Sequence, residues 1–136
     1  MRRLKNWPSR FAALVEVTRG RPFEWGTHDC CLWAANAVLA ITGEDLAADL
    51  RGSYTTARGA LARLNAIGGL EAAGARAGRR VELLHAGAGD VGLVTWPDGT
   101  ESLAVCAAHT WMCAGDAGLV HLPLGCGKFA WGVGRE

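Results

Sequence analysis

The 136-residue sequence predicts an α+β domain in which N-terminal helices pack on a C-terminal antiparallel β-sheet. In the first half, apolar residues recur at the spacing of one helix face, and glycines end each run. In the second half, short apolar runs alternate with glycine-containing turns, which is typical of strands. The length suits one hydrophobic core, so we expect a single domain over residues 1–136.

Two helices are expected first. One covers residues 3–18, whose apolar side chains lie close to one face, and it ends before Gly20. The next begins after Asp29, whose side chain can cap the free backbone N–H groups of the first turn. It ends at Gly43, a residue suited to the left-handed conformation at a helix C-terminus. Cys30 therefore falls in the first turn of the second helix.

Two shorter helices are expected next. The third covers "ARGALARLNAI", with Thr55 or Thr56 as its cap and Gly68-Gly69 as its stop. A short fourth helix follows in "LEAAGARAG". The apolar residues of the third helix lie on one side and are expected to face the core: Ala57, Leu61, Leu64 and Ile67.

The second half predicts the short strands of an antiparallel sheet. The runs "VGLVTW" and "ESLAVCAA" flank the turn "PDGT", which indicates a β-hairpin. Further strands are expected in "TWMC", "GLVHLPL" and "KFAWGV". The glycine-rich "HAGAGD" lacks the lysine of a phosphate loop, so we interpret it as the turn before a strand.

Charge and cysteine content exclude several classes of partner. The 14 basic and 13 acidic residues are interspersed, which gives no surface expected to bind nucleic acid or a membrane. The basic start "MRRLKNW" leads into a run broken by Ser9, Arg10 and Glu16, so we expect no signal peptide, no membrane span and synthesis in the cytoplasm. Five cysteines without a CxxC pair favour reduced thiols, with no metal and no cofactor.

The stretch "FEWGTHDCCLW" carries the strongest chemical signal. A thiol at a helix N-terminus faces unpaired N–H groups and the positive end of the helix dipole, both of which favour the thiolate. Cys30 is therefore a candidate nucleophile at neutral pH. The alternative is that Cys30 and Cys31 are small apolar residues where the helix enters the core. The tryptophans are expected to be anchors in the core or at an interface.

Several segments together carry a family resemblance. The stretch above, followed by "RGSYTTARGAL", "AGAGDVGLV", "SLAVC", "AGLVHLPL" and "AWGV", resembles small phage tail-cluster proteins related to NlpC-type papain-like cysteine peptidases. The resemblance implies a papain-like (NlpC-type) fold in which Gly89-Asp90-Val91 opens the first long strand. It also implies Cys30, not Cys31, as the nucleophile position.

The expected base of such an enzyme is missing from its usual place. NlpC-type peptidases carry a histidine near the start of the strand after the Gly-Asp strand, where this sequence has Glu101-Ser102-Leu103. Ser102 cannot act as a base at neutral pH. His28, in the loop before the second helix, and His109, near the turn after "SLAVCAA", are the alternative candidates beside Cys30 and Asp29. His85 and His121 are expected to be structural or to face solvent.

The resemblance leads to one principal function and two alternatives. The principal function is a tail-tip or baseplate component of the virion, bound to other tail-tip or hub proteins and assisting assembly and wall penetration. One alternative is an active thiol peptidase or amidase that cleaves peptidoglycan peptide bonds through Cys30. The other is a small bacterial cysteine hydrolase outside any virion. The missing histidine favours the first.

Overall fold

The computed structural model describes residues 1–135, and Glu136, the last residue of the predicted domain, lies outside the described residues. Helices come first, as predicted: α1 (Trp7–Thr18), α2 (Cys30–Thr42), α3 (Ala57–Ile67) and α4 (Leu70–Ala75). Six strands follow: β1 (Gly78–Val81), β2 (Val91–Thr95), β3 (Glu101–Cys106), β4 (Thr110–Gly115), β5 (Gly118–Pro123) and β6 (Gly127–Val133). The α+β class with an antiparallel sheet is confirmed.

The strands form one sheet in the order β1-β6-β2-β3-β4-β5, with every pair antiparallel. The predicted hairpin of β2 and β3 closes through Pro97 to Thr100. Strands β3 and β4 pair only at Val105 with Met112 and at Cys106 with Trp111. The first half of β3 therefore has no backbone partner in β4, and this opening lies against the start of α2.

Helix α2 is the central helix of the domain. The Asp29 side chain accepts a hydrogen bond from the backbone N–H of Leu32, and Gly43 closes the helix in the left-handed region at φ 83°. Both predicted ends are confirmed. The helix is apolar on nearly all sides, as expected for one buried between other elements. It packs on β3 and β4 on one side and on α1 on another.

The predicted start of α1 is wrong. The helix begins at Trp7 and not at residue 3, because Pro8 has no backbone N–H and is tolerated only in the first helical turn. The residues before it follow a different path, in which the backbone N–H of Leu4 donates to the carbonyl of Ile41 near the end of α2. The N-terminal segment is thus fixed by a tertiary contact.

Two features of the middle segment differ from expectation. Strand β1 was not predicted, because "GRRV" has no alternating apolar pattern; it is an edge strand whose Arg80 lies opposite Trp131 of β6. On α3, Ala60 is the buried residue, whereas Ala57 is exposed and Leu61 remains 59% exposed. The predicted apolar side of α3 is only partly covered.

The sheet is buried on both faces. Helices cover one face, where Trp33 and Trp131 are fully buried. On the other face the indole ring of Trp111 lies directly over Gly92, where a Cβ would be only 2.5 Å from the ring. These tryptophans are core anchors, as predicted. No helix within residues 1–135 is long and apolar enough to cross a membrane.

Candidate functional site at Cys30

Cys30 is the first residue of α2 and lies at the opening between β3 and β4. The backbone N–H groups of Leu103 in β3 and of Cys31 lie near its sulfur and help to lower its pKa, after the larger effect of the Cys31 thiol. The side chain is partly exposed, whereas Cys31 is buried in the core. The two adjacent cysteines thus divide into a groove residue and a packing residue.

The pKa of the Cys30 thiol is lowered, chiefly by a hydrogen bond from the Cys31 thiol and further by the backbone N–H of Leu103. Burial and the Asp29 carboxylate act in the opposite direction without reversing the shift. The pKa of Cys31 is raised, because its proton is held in the hydrogen bond to Cys30 and because the thiol is buried. Of the two thiols, Cys30 therefore loses its proton more readily than Cys31.

A surface groove passes over Cys30 and has two parts that share Trp25, Cys30 and Glu101. The sheet-side groove has a volume of about 600 Å³, and its lining includes Phe23, Trp25, Trp96, Asp98, Glu101 and Asp116. The α3-side groove has a volume of about 300 Å³, and its lining includes Trp25, Ala57, Leu61, Leu64, Leu70 and Glu101. The exposed apolar side chains of α3 are explained by this second part.

Asp29 is a structural residue of the site. Its fully buried carboxylate accepts hydrogen bonds from Leu32 N at 3.0 Å, Gly26 N at 3.0 Å and the Tyr54 hydroxyl at 2.6 Å. These contacts join the loop before α2, the first turn of α2 and the loop before α3. Because its oxygens are occupied by these donors, Asp29 positions Cys30 and does not reach into the groove.

A family model described as a domain of unknown function (DUF6950) matches residues 2–133. The chain belongs to this family. The match covers every helix and strand of the DUF6950 domain, from α1 to β6. No curated protein and no solved structure matches the chain.

His28 of this DUF6950 domain is fully buried in a tight loop. Its backbone pairs with Glu24, and neither ring nitrogen has a hydrogen-bond partner within the described part of the chain. Burial, and next the charge of Arg21, lower the pKa of His28, while Asp29 partly opposes them. His28 lines neither part of the groove. Although it is two residues from Cys30 in sequence, its position does not support a role as the base.

His109 lies in the turn between β3 and β4, exposed and at the opposite end of the hairpin from the groove. From Leu103 to Cys106 alone, β3 extends about 10 Å away from the Cys30 thiol. His109 lines neither part of the groove. The structure therefore does not bring it together with Cys30, and a base at this position is not supported.

Ser102, at the place where the resemblance expects the histidine, lines the sheet-side groove with Cys30. Its hydroxyl accepts a 2.8 Å hydrogen bond from the indole N–H of Trp96 and lies beside the thiol of Cys113. Burial raises the pKa of Cys113 to about 12, so this second thiol stays protonated. The place of the expected histidine is therefore taken by a serine hydroxyl that already has a hydrogen-bond partner and cannot act as a base.

Sequence reasoning missed several residues that build the site. Tyr54 is the chain's one tyrosine and holds Asp29, and a search for donors near the helix cap could have suggested it. Glu101 and Leu61 come together only because α3 and β3 both border the groove. Among residues 1–135, no three His, Cys, Asp or Glu side chains are placed to hold a metal ion.

Proposed function

We propose that this protein is a phage tail-tip component with a papain-like scaffold, and that its groove at Cys30 binds a neighbouring tail protein without hydrolysing it. The observation that carries the binding role is the lining of the groove. No histidine is among the lining residues in the described chain, although the pKa of the Cys30 thiol is lowered, first by the Cys31 thiol. The placement in a tail is supported by the sequence resemblance.

The lack of a base bears directly on hydrolysis. A thiol peptidase needs a group that takes the thiol proton and returns it to the leaving amine. Here the Cys31 hydrogen bond stabilises the Cys30 thiolate, but Cys31 keeps its own proton tightly and is a poor donor to a leaving group. Ser102 is held by Trp96. The groove is therefore better suited to binding than to turnover.

The alternative is an active thiol peptidase or amidase acting on peptidoglycan peptides. One observation favours it: the lowered pKa of Cys30, due first to Cys31, supplies a nucleophile at the end of a helix. In that case the Cys30 sulfur would bond to the carbonyl carbon, and backbone N–H groups at the start of α2 would stabilise the oxyanion. The C–N bond would then break, the amine would leave with a proton taken from water, and a second water would hydrolyse the thioester.

Two variants in a phage that encodes this chain separate these functions. Cys30→Ala removes the nucleophile and keeps the groove walls, whereas Trp25→Ala removes a wall shared by both parts. We expect mass spectrometry of purified particles to find the protein in the tail. We expect Cys30→Ala particles to infect normally and Trp25→Ala to lower incorporation.

Particles that carry Cys30→Ala, assemble normally and fail at wall penetration would instead establish the peptidase. Absence of the protein from purified particles would remove the tail assignment. Incubation of purified wild-type protein with wall peptides, beside a histidine-bearing NlpC-type enzyme as the positive control, is expected to leave the peptides uncut.

A further inference from the structure

The sheet-side groove combines aromatic walls with uncompensated negative charge. Its lining contains Asp98, Glu101 and Asp116 and no lysine or arginine side chain. Lys128 pairs with Glu101 at 3.0 Å. Asp98 and Asp116 take part in no ion pair within residues 1–135. Asp98 accepts hydrogen bonds from the N–H and the hydroxyl of Thr100, but both carboxylates can still pair with a cation from outside the chain.

The lining also contains aromatic rings, which attract the same kind of group. Phe23 and Trp25 meet edge to face, with ring centroids 4.6 Å apart. The indole of Trp96 is fixed by its hydrogen bond to Ser102. A guanidinium or ammonium group over an indole or phenyl face is attracted by the ring quadrupole, and neighbouring carboxylates add to that attraction. A cationic side chain thus satisfies both features of the lining.

The α3-side groove differs in chemistry, although it begins at the same cysteine. Leu61, Leu64 and Leu70 line it, and Leu61 is 59% exposed. An exposed leucine in a concave surface is covered most favourably by another apolar side chain. A ligand that lies along the whole groove would therefore be cationic at one end and apolar at the other.

We infer that the groove binds an extended protein segment that places arginine or lysine side chains against Asp98, Asp116 and the aromatic walls, and an apolar side chain against Leu61. This inference rests on the proposed binding role of the groove and specifies its ligand. The segment passes over Cys30, the residue at which the two parts of the groove meet.

Synthetic peptides test the charge preference. The probes are acetyl-Leu-Leu-Ala-Arg-Arg-amide, the reversed sequence, and acidic counterparts in which glutamate replaces arginine. Calorimetry should detect binding of at least one basic peptide, and the acidic peptides should bind at least about tenfold more weakly. Bound basic peptide should also slow the alkylation of Cys30 by iodoacetamide, which locates the peptide at the groove.

A matched pair of variants tests the site. Asp98→Asn with Asp116→Asn removes two charges, and asparagine at 98 can still accept the hydrogen bond from Thr100 N. We expect about fivefold weaker binding, on the order of exposed ion-pair energies. Glu16→Gln with Glu44→Gln removes the same charge outside the groove and should change affinity less than twofold.

Three results would overturn the inference: no binding of either basic peptide, equal binding of acidic peptides, or binding that neither protects Cys30 nor weakens in the Asp98 and Asp116 variant. Cleaved peptide in the mass spectrum would instead overturn the proposed role of binding without hydrolysis. The charge preference of the groove, measured separately from the affinities, would remain valid.

Discussion

The hydroxyl of Tyr54 donates a 2.6 Å hydrogen bond to the carboxylate of Asp29, the residue that caps α2 beneath Cys30. Burial, and next the Asp29 carboxylate, raise the pKa of Tyr54, so the phenol keeps its proton and remains a donor. This contact fixes the loop before α3 to the start of the central helix. The start of α2, which carries Cys30, is held in place by this contact.

Tyr54→Phe removes that donor and little else. A hydrogen bond to a buried charged group contributes about 2 kcal/mol, so the free energy of unfolding should fall by that amount. Urea unfolding followed by fluorescence measures it. A loss below about 0.5 kcal/mol would mean that the other two donors to Asp29 are sufficient to hold the carboxylate.

Gly26 is expected to be intolerant of a side chain. Its φ is +81°, and a Cβ would lie 1.9 Å from the backbone oxygen of Tyr54. Gly52, with φ +68° and nothing within 4 Å, is the matched control. Gly52→Ala should lower the free energy of unfolding by about 1 kcal/mol, and Gly26→Ala by at least about 2 kcal/mol more. Equal losses would show that the loop carrying Gly26 moves away from Tyr54 at little cost.

Asp90 of the Gly-Asp motif holds the two chain ends together. Its fully buried carboxylate pairs with Arg3 at 3.0 Å and Arg135 at 2.7 Å, and it accepts a bond from Val133 N at 3.0 Å. Asp90→Asn leaves both guanidinium groups without their anion and should lower the free energy of unfolding by about 3 kcal/mol.

The control for Asp90 is the exposed pair of Glu16 and Arg19. Glu16→Gln should change the free energy of unfolding by less than about 0.5 kcal/mol, because exposed ion pairs contribute little. If thermal or urea unfolding gave similar decreases in the free energy of unfolding for both variants, the contacts of Asp90 with Arg3 and Arg135 would contribute no more than an exposed ion pair.

Cys31 is expected to control the reactivity of Cys30. Cys31→Ala removes the hydrogen bond that is the main cause of the lowered pKa of Cys30, so that pKa should rise. Cys31→Ser keeps a hydroxyl donor and should preserve most of the effect. The measurement is the rate of alkylation against pH, with mass mapping of the Cys30 peptide. Identical profiles for all three proteins would rule out this hydrogen bond as the cause.

His28 should make stability depend on pH. Burial lowers its pKa in the folded protein, so below its ordinary value of about 6.5 the unfolded chain binds a proton that the folded chain does not. The free energy of unfolding should therefore fall between pH 6.5 and 5, by at most about 1.4 kcal/mol per pH unit from this group. Arg21 strengthens the effect and Asp29 weakens it.

His28→Gln is the comparison, because glutamine does not titrate in this range. The difference between the two proteins cancels the contributions of all other groups. We expect urea unfolding at several pH values to show wild type losing stability relative to the variant as the pH falls. Parallel curves would mean that the buried ring can take up a proton without cost.

Much of the helical framework could be predicted because its signals are local. Asp29 and Gly43 bound α2, and Thr56 and Gly68 bound α3, through contacts within a few residues of each cap. The predicted start of α1 at residue 3 is wrong, although the signal that places the start at Trp7, Pro8 in the first turn, is also local.

The sequence by itself determined the α+β order, the helix caps, the β2–β3 hairpin and the position of Cys30 at a helix start. Only the tertiary structure decided which groups surround the Cys30 thiol. The Leu103 N–H, the groove wall from α3 and the distant placement of His109 all depend on how β3 and β4 separate beside α2. These contacts join residues that are 25 or more positions apart, so no pattern within a short window can encode them.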